Sequence, residues 1–269
     1  MATLVCFHAH PDDEAISTGG LMAMAADAGH RVVLVTATRG EHGEPKPGVL
    51  APGEPLWVRR VAETQRSGEL LGVARVHFLG YVDSGMMGEV TNAAPDSFWQ
   101  ADVDEAAARL AELLRSERAE VLTCYDELGT YGHPDHIQVH RVAVRAAEMA
   151  SMRADQVFQA TINRDRVVAM RAAIDAAGAE PPADDGDWDS LGVPEELITH
   201  ALDVTGVLDR KRAALAAHAS QISDSDFFLQ MAPDVFEAAF GTEWFVQLGV
   251  PRPAGAVFST EIMPRAEVR

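Results

Sequence analysis

Two hydrophobic periods alternate along this chain. A continuous β-prone run from Ala2 to Phe7 passes into a helical pattern from Asp12 to Ala28, stops at Gly29 and returns to a strand run from Arg31 to Thr36. The alternation continues with a helix over 57–71, a strand over 75–79, a helix over 101–118, a strand over 120–124, a helix over 134–150 and a weaker strand over 156–160. Five βα-type units predict a parallel sheet with helices on both faces and right-handed crossovers. Gly40–Pro55, Gly80–Trp99 and the acidic Ala179–Leu197 interrupt the rhythm, and loops that long in a compact domain line a site or move. Helices resume at about 206–219 and 233–240. The expected fold is α/β: a Rossmann-like parallel sheet plus a C-terminal helical extension. It forms one domain over 1–269, with the core in 1–160 and the extension, 161–269, completing the site.

Composition narrows the role without naming it. The 269 residues suffice for a buried core without disulfides, and Cys6 and Cys124, each inside an apolar run, read as reduced core residues. Lys and Arg number 22 against 41 Asp and Glu, a net charge of −19 that disfavours nucleic acid and anionic membrane surfaces as partners. No run approaches the ~20 apolar residues of a membrane helix. The N-terminus enters a strand pattern without a charged leader, so a soluble, cytoplasmic protein is expected. No Gly-x-Gly-x-x-Gly follows the first strand, which argues against a dinucleotide cofactor.

Chemistry gathers where strands hand over to helices. After the first strand the chain reads His8-Ala9-His10-Pro11-Asp12-Asp13-Glu14, and after the fourth Tyr131-Gly132-His133-Pro134-Asp135-His136. Proline at the first helical position and acids in the first turn are how a helix start is written. Histidine is not needed for that, and the surplus is the signal. A spacing of three brings His10 with Asp13, and His133 with His136, onto one side of a first turn. If the first and fourth strands flank the reversal of strand order, the two corners face each other across the crevice where doubly wound sheets place ligands. A mixed histidine and carboxylate set there suits zinc or a similar divalent ion such as Fe2+, with three protein ligands and one open position. The residues alone leave His133 and His136 equal as ligands, and they do not sort Asp12 from Asp13.

The sequence resembles the PIG-L/LmbE-like deacetylases, zinc enzymes that remove acetyl groups from N-acetylglucosamine units. The resemblance rests on His10-Pro-Asp-Asp-Glu14, Thr36-Ala-Thr-Arg-Gly-Glu41, Arg60 with Glu63, Gly132-His-Pro-Asp-His136 and Lys211-Arg-Ala-Ala-Leu-Ala-Ala-His218-Ala-Ser-Gln221. Asp83-Ser84-Gly85-Met86 and Tyr131 resemble the actinobacterial branch that includes the mycothiol-pathway deacetylase and the mycothiol-conjugate amidase. The resemblance implies metal ligands His10, Asp13 and His136, with Asp12 as general base. It implies that His133 steadies the oxyanion, that Tyr131 helps polarise the carbonyl and that Asp135 orients a histidine. Arg60 and Asp83 would hold the polar head of the substrate, with Ser17, Met86 and His218 also on the substrate side. Glu44–Pro55 and Glu89–Asp96 depart from the family pattern, and these loops choose the substrate.

On this reading Asp12 takes the proton of the attacking water and returns it to the departing amine, while a protonated His133 meets the charge developing on the carbonyl oxygen. The implied activity is removal of the N-acetyl group from a small N-acetylglucosaminyl conjugate of glycosyl-inositol or sugar-thiol type. An amidase cleaving a larger acyl group from the same nitrogen is the nearest rival. A glycosyltransferase holding a nucleotide sugar at Asp12-Asp13 and a non-catalytic sugar-binding protein rank lower, and a homo-oligomer is compatible with all four. Four features carry two readings each. His8 supports a ligand or simply packs; His218 reaches the crevice or sits on a helix surface; Met86-Met87 forms a substrate wall or a core plug. Asp185-Gly-Asp187-Trp-Asp189-Ser190 with Glu196 imitates a calcium loop, but Ser190 stands where the sharp turn wants glycine, so an acidic surface loop is preferred.

Overall fold

The computed structural model of the chain describes residues 1–176, 190–222 and 227–264. Its strands are β1 (Thr3–His8), β2 (Arg31–Thr36), β3 (Arg75–Phe78), β4 (Val121–Tyr125), β5 (Val157–Thr161), β6 (His200–Asp203) and β7 (Thr242–Gln247). They form one sheet in the order β3-β2-β1-β4-β5-β7-β6. The first five run parallel, and β7 lies antiparallel to both β5 and β6. All six residues of β1 are buried between parallel neighbours, which explains its unbroken apolar run. Strand order reverses where β1 pairs with β4 (Leu4 beside Val121, Cys6 beside Thr123), so the loops leaving these two strands part and open a crevice.

The described α-helices are α1 (Asp13–Ser17), α2 (Gly19–Asp27), α3 (Leu56–Leu71), α4 (Val103–Glu117), α5 (Gly129–Gly132), α6 (Pro134–Met149), α7 (Arg164–Ala176), α8 (Leu208–Ala217), α9 (Phe227–Gln230) and α10 (Pro233–Phe240), with short 3-10 turns between some of the elements. Alternation along β1 sends Val5 and Phe7 into a core with α4 and α6, and Leu4 and Cys6 into the opposite core with α2, α8 and α10. Cys6 and Cys124 are free and buried. Among the described residues no helix is long and apolar enough to cross a membrane.

Two differences from the sequence pattern matter for the site. The helix expected over 12–28 breaks at Thr18, which leaves helical geometry (φ −138°) and places its hydroxyl 2.8 Å from His8 Nε2. Beyond it Gly20 lies so close to Val204 that a Cβ would come within 2.4 Å of that side chain. The C-terminal third also contains β6 and β7, where the pattern suggests helices only. The buried positions of β7 are Glu243 and Phe245, and a charged residue facing inward hides the strand's alternation. Glu243 is satisfied there by Lys211 Nζ at 2.6 Å and by the backbone N–H groups of Gly20 and Leu21. Residues 177–189, with Asp185, Asp187 and Asp189 of the calcium-like loop, lie outside the described residues.

Candidate metal centre

The first corner is built from a strained backbone. Asp12 adopts φ 97°, rare for a non-glycine residue, and leaves α1 without a side-chain cap. Its N–H donates to Glu14 Oε2 at 3.0 Å, and its Oδ2 accepts from Arg60 Nη2 at 3.0 Å. Burial raises the Asp12 carboxyl to about 6, with Arg60 pulling against it and Asp13 adding to it. This turn swings Asp13 inward: its Oδ2 lies 3.3 Å from His10 Nδ1 and 3.4 Å from His136 Nε2. Burial opposes that carboxylate's charge, but His136 and His10 hold its pKa well below the ordinary range.

The second corner starts a regular helix. His133 caps α6, its Nδ1 accepting the N–H of Asp135 at 3.1 Å with Pro134 at the first helical position. His136 then faces Asp13, stacked on the Tyr125 ring with centroids 4.2 Å apart. Asp135 is fully buried; it accepts from Ser84 N and the Ser84 hydroxyl and lies 3.2 Å from His10 Nε2. His10 Nε2 faces Asp135 and Asp83 and its Nδ1 faces Asp13; burial works against a charge on the ring, but these three carboxylates hold its pKa well above the ordinary value. Asp13 Oδ2 thus lies between His10 Nδ1 and His136 Nε2, imidazole and carboxylate groups of the kind that hold a divalent cation. By mutual distance alone, ligand atoms of His10, His133 and His136 lie within 4.8 Å of one another, as do those of His10, Asp83 and Asp135. The carboxylates of the second set accept N–H and hydroxyl donors, and Asp13 Oδ2 likewise accepts the N–H of His10 at 2.8 Å.

Most of the expected residues gather here, with adjustments. Asp83 faces His10 Nε2 at 3.5 Å and accepts from Gly85 N and His42 N. Burial works to raise its pKa, but His10 and the N–H groups of Gly85 and His42 together hold it below the ordinary carboxylate range. Tyr131 is exposed, with its hydroxyl 3.4 Å from His136 Nε2. Met86 is 49% exposed on its loop and so is not a core plug. Ser17 is half-buried at the end of α1.

Three expectations are corrected. His218 is neither on a helix surface nor on the substrate side: it is fully buried, with Nε2 2.6 Å from Glu14 Oε1. Arg60 is 4% exposed, and both of its terminal nitrogens are held by the protein, on Gly40 O, Pro11 O and Asp12, so it braces the corner from within. A protonated His133 does not fit either, because burial and the neighbouring His10 and His136 push its pKa to about 4. Its cap bond through Nδ1 leaves the proton of the neutral ring on Nε2, still a donor.

Four supporting residues escape sequence reasoning: Glu14, Ser67, Ser84 and Tyr125. Glu14 stands in the first motif, but an acid in a first turn is read as a dipole partner, and nothing in the pattern says that it is buried. Tyr125 could have been found as an aromatic residue at the carboxyl end of a switch-point strand. Its hydroxyl lies 3.0 Å from His8 Nδ1, so His8 supports the ring on which His136 stacks.

Residues 5–147 match the family described as PIG-L: GlcNAc-PI de-N-acetylase. Two curated relatives carry the name 1D-myo-inositol 2-acetamido-2-deoxy-alpha-D-glucopyranoside deacetylase. The protein of Acidothermus cellulolyticus is 44% identical over 94% of this chain and 91% of its own, and that of Thermomonospora curvata is 41% identical over 91% and 90%. Among solved structures, the N,N'-diacetylchitobiose deacetylase of Pyrococcus horikoshii shares the fold at TM-score 0.55 and 22% identity, covering 82% of this chain and 71% of its own. With both corners facing one crevice and close relatives spanning nearly the whole sequence, the chain belongs to the PIG-L de-N-acetylase family.

Proposed function

We propose that the protein is a metal-dependent de-N-acetylase that hydrolyses the acetamido group of a small N-acetylglucosaminyl conjugate, of the glucosaminyl-inositol kind for which its relatives are named. His10, Asp13 and His136 hold a divalent cation, and an imidazole and carboxylate set of this kind suits zinc. The observation that carries this reading is the place of Asp13 Oδ2 between His10 Nδ1 and His136 Nε2, with Asp12 beside it but drawn aside by Arg60. When bound, the cation supplies Lewis acidity to the amide carbonyl and lowers the pKa of water.

The remaining chemistry belongs to side chains. Asp12 accepts the proton of the attacking water and returns it to the departing amine. As charge develops on the carbonyl oxygen, His133 donates from Nε2, and the exposed Tyr131 hydroxyl stands beside His136 as a second donor. Asp135 fixes the orientation of His10. Ser17 and the exposed Met86 face the sugar and its aglycone, while Asp83, expected on the substrate side, acts through His10 and the loop N–H groups it holds, and Arg60 contributes by holding Asp12. The enzyme acts in the cytoplasm on a soluble substrate.

The test is incubation of the metal-loaded protein with N-acetylglucosaminyl-inositol, reading acetate and free amine by mass spectrometry. Release of both in equal amounts supports the reading. Release of an N-acylcysteine conjugate from a thiol-conjugated substrate, with the acetylated inositol left intact, overturns it in favour of an amidase.

A further inference from the structure

We propose that His218, carried in by the C-terminal extension, is a positioning residue: through Glu14 it holds the backbone of Asp12 in the conformation that sets the Asp12 carboxylate on Arg60, beside the cluster and off it. The inference rests on the role given to Asp12 above.

The chain of contacts is short and buried. His218 Nε2 lies 2.6 Å from Glu14 Oε1, which also accepts the Ser67 hydroxyl. Glu14 Oε2 accepts the N–H of Asp12 at 3.0 Å. Glu14 and His218 are both fully buried. A carboxylate in that position needs donors on its oxygens, and removing one leaves it free to turn. Asp12 is the residue most sensitive to such a turn, because its φ of 97° persists only while its surroundings impose it. His218 itself is fixed at the end of α8. Gln221 N and Ile222 N donate to its carbonyl, and Glu63 from α3 accepts both Ser220 N and the Ser220 hydroxyl. The extension thus presses from behind on the corner whose other side faces the cluster.

This arrangement makes no use of His218 as a substrate contact, because no part of the side chain is exposed. It also differs from a packing role. A packing residue answers to shape, whereas this one answers to whether a donor reaches Glu14 Oε1.

The test compares His218→Leu, which removes the donor, with His218→Gln, which can return one, each with its metal content measured. We expect His218→Leu to lower kcat by about 10- to 100-fold, the scale of a small misplacement of a reacting group, with KM within about twofold and metal content unchanged. His218→Gln should recover most of the loss. Hydrogen exchange of the folded proteins is read in parallel: the peptide containing Asp12 exchanges faster in the Leu variant, while one covering Asp135 and His136 does not. This readout stands even if the wild-type protein releases no acetate, an outcome that would sink the functional reading and leave the mechanical one intact. A folded His218→Leu protein with wild-type exchange at Asp12 overturns the proposal, as does equal loss of kcat in the two variants or a loss that follows metal content.

Discussion

The two His-Pro-Asp corners begin from the same residues and are held in opposite ways. At the second, His133 sits at φ −63° and ψ 132° and caps α6 with its own ring, so the turn is satisfied within two residues. At the first, Asp12 sits at φ 97° with no cap of its own. Its supports are distant in the sequence: Arg60 is 48 residues away, and the Glu14 that holds its N–H relies on Ser67 and His218, 53 and 204 residues from it. A backbone in a sparsely populated region costs about 1 to 3 kcal/mol and survives only where the fold over-determines it. On the proposed roles, a ligand histidine stands on an ordinary helix start, whereas a general base beside a ligand but kept off the metal requires a turn that local rules do not produce.

The largest effect that separates the corners comes from removing one working residue from each. Asp12→Ala should lower kcat by about 10²- to 10⁴-fold while the purified protein keeps its metal. His136→Ala should lose the metal as well, by elemental analysis after dialysis. Were Asp12→Ala to lose metal as completely as His136→Ala, Asp12 would be a ligand and the division of labour between the adjacent aspartates would fail.

Removing a support comes next. Arg60→Ala strips the Asp12 carboxylate of its partner and leaves the Pro11 and Gly40 carbonyls without their donor. Breaking a buried pair in this way costs about 3 to 5 kcal/mol, whereas loss of a helix cap at His133→Ala costs about 1 kcal/mol. Urea denaturation of the two variants measures the difference. Equal losses would mean that the first corner is as self-sufficient as the second.

The asymmetry also explains what was legible in the sequence. The parallel core could be read because buried parallel strands are unbroken apolar runs and their helices carry a clear period, as in β1 and α4. The corners could be read because proline and acids mark helix starts, and histidine there exceeds what a start requires. Joining the two corners needed strand order, which a sequence does not state, and the resemblance alone sorted Asp12 from Asp13. What stayed hidden depends on burial of charged groups. Glu14 and Glu243 look like surface acids until Ser67, His218 and Lys211 are seen against them. The same cause hid β7 and turned His218 and Arg60 into apparent substrate contacts.

A subtler comparison lies within the second corner, where the proposed chemistry gives His133 a task on Nε2 besides the cap it makes through Nδ1. His133→Asn keeps a side-chain acceptor for the Asp135 N–H but places no donor where Nε2 stands. It should therefore retain the stability that His133→Ala loses, while both variants lose about 10²- to 10³-fold in turnover. If the Asn variant recovers turnover together with stability, the cap is the residue's whole contribution.

The smallest effect is a pH dependence at the support of the first corner. Burial alone would lower the pKa of His218, but Glu14 beside it raises it above its ordinary 6.5. Burial likewise works to raise Glu14, yet His218 and Ser67 hold it below its ordinary 4.5. A histidine whose pKa is raised by folding adds stability that is fully present below 6.5 and fades as pH climbs through its folded value. A carboxylate whose pKa is lowered adds stability that is fully present above 4.5 and fades as pH falls through its own. The margin of wild-type protein over His218→Gln, which has no titrating group at that position, should thus be widest between pH 4.5 and 6.5 and shrink on the alkaline side. With one proton involved, the slope there cannot exceed about 1.4 kcal/mol per pH unit. Denaturation midpoints of both proteins from pH 5 to 9 test it. A margin that grows with pH would mean that His218 is held neutral and meets Glu14 as an uncharged Nε2–H donor.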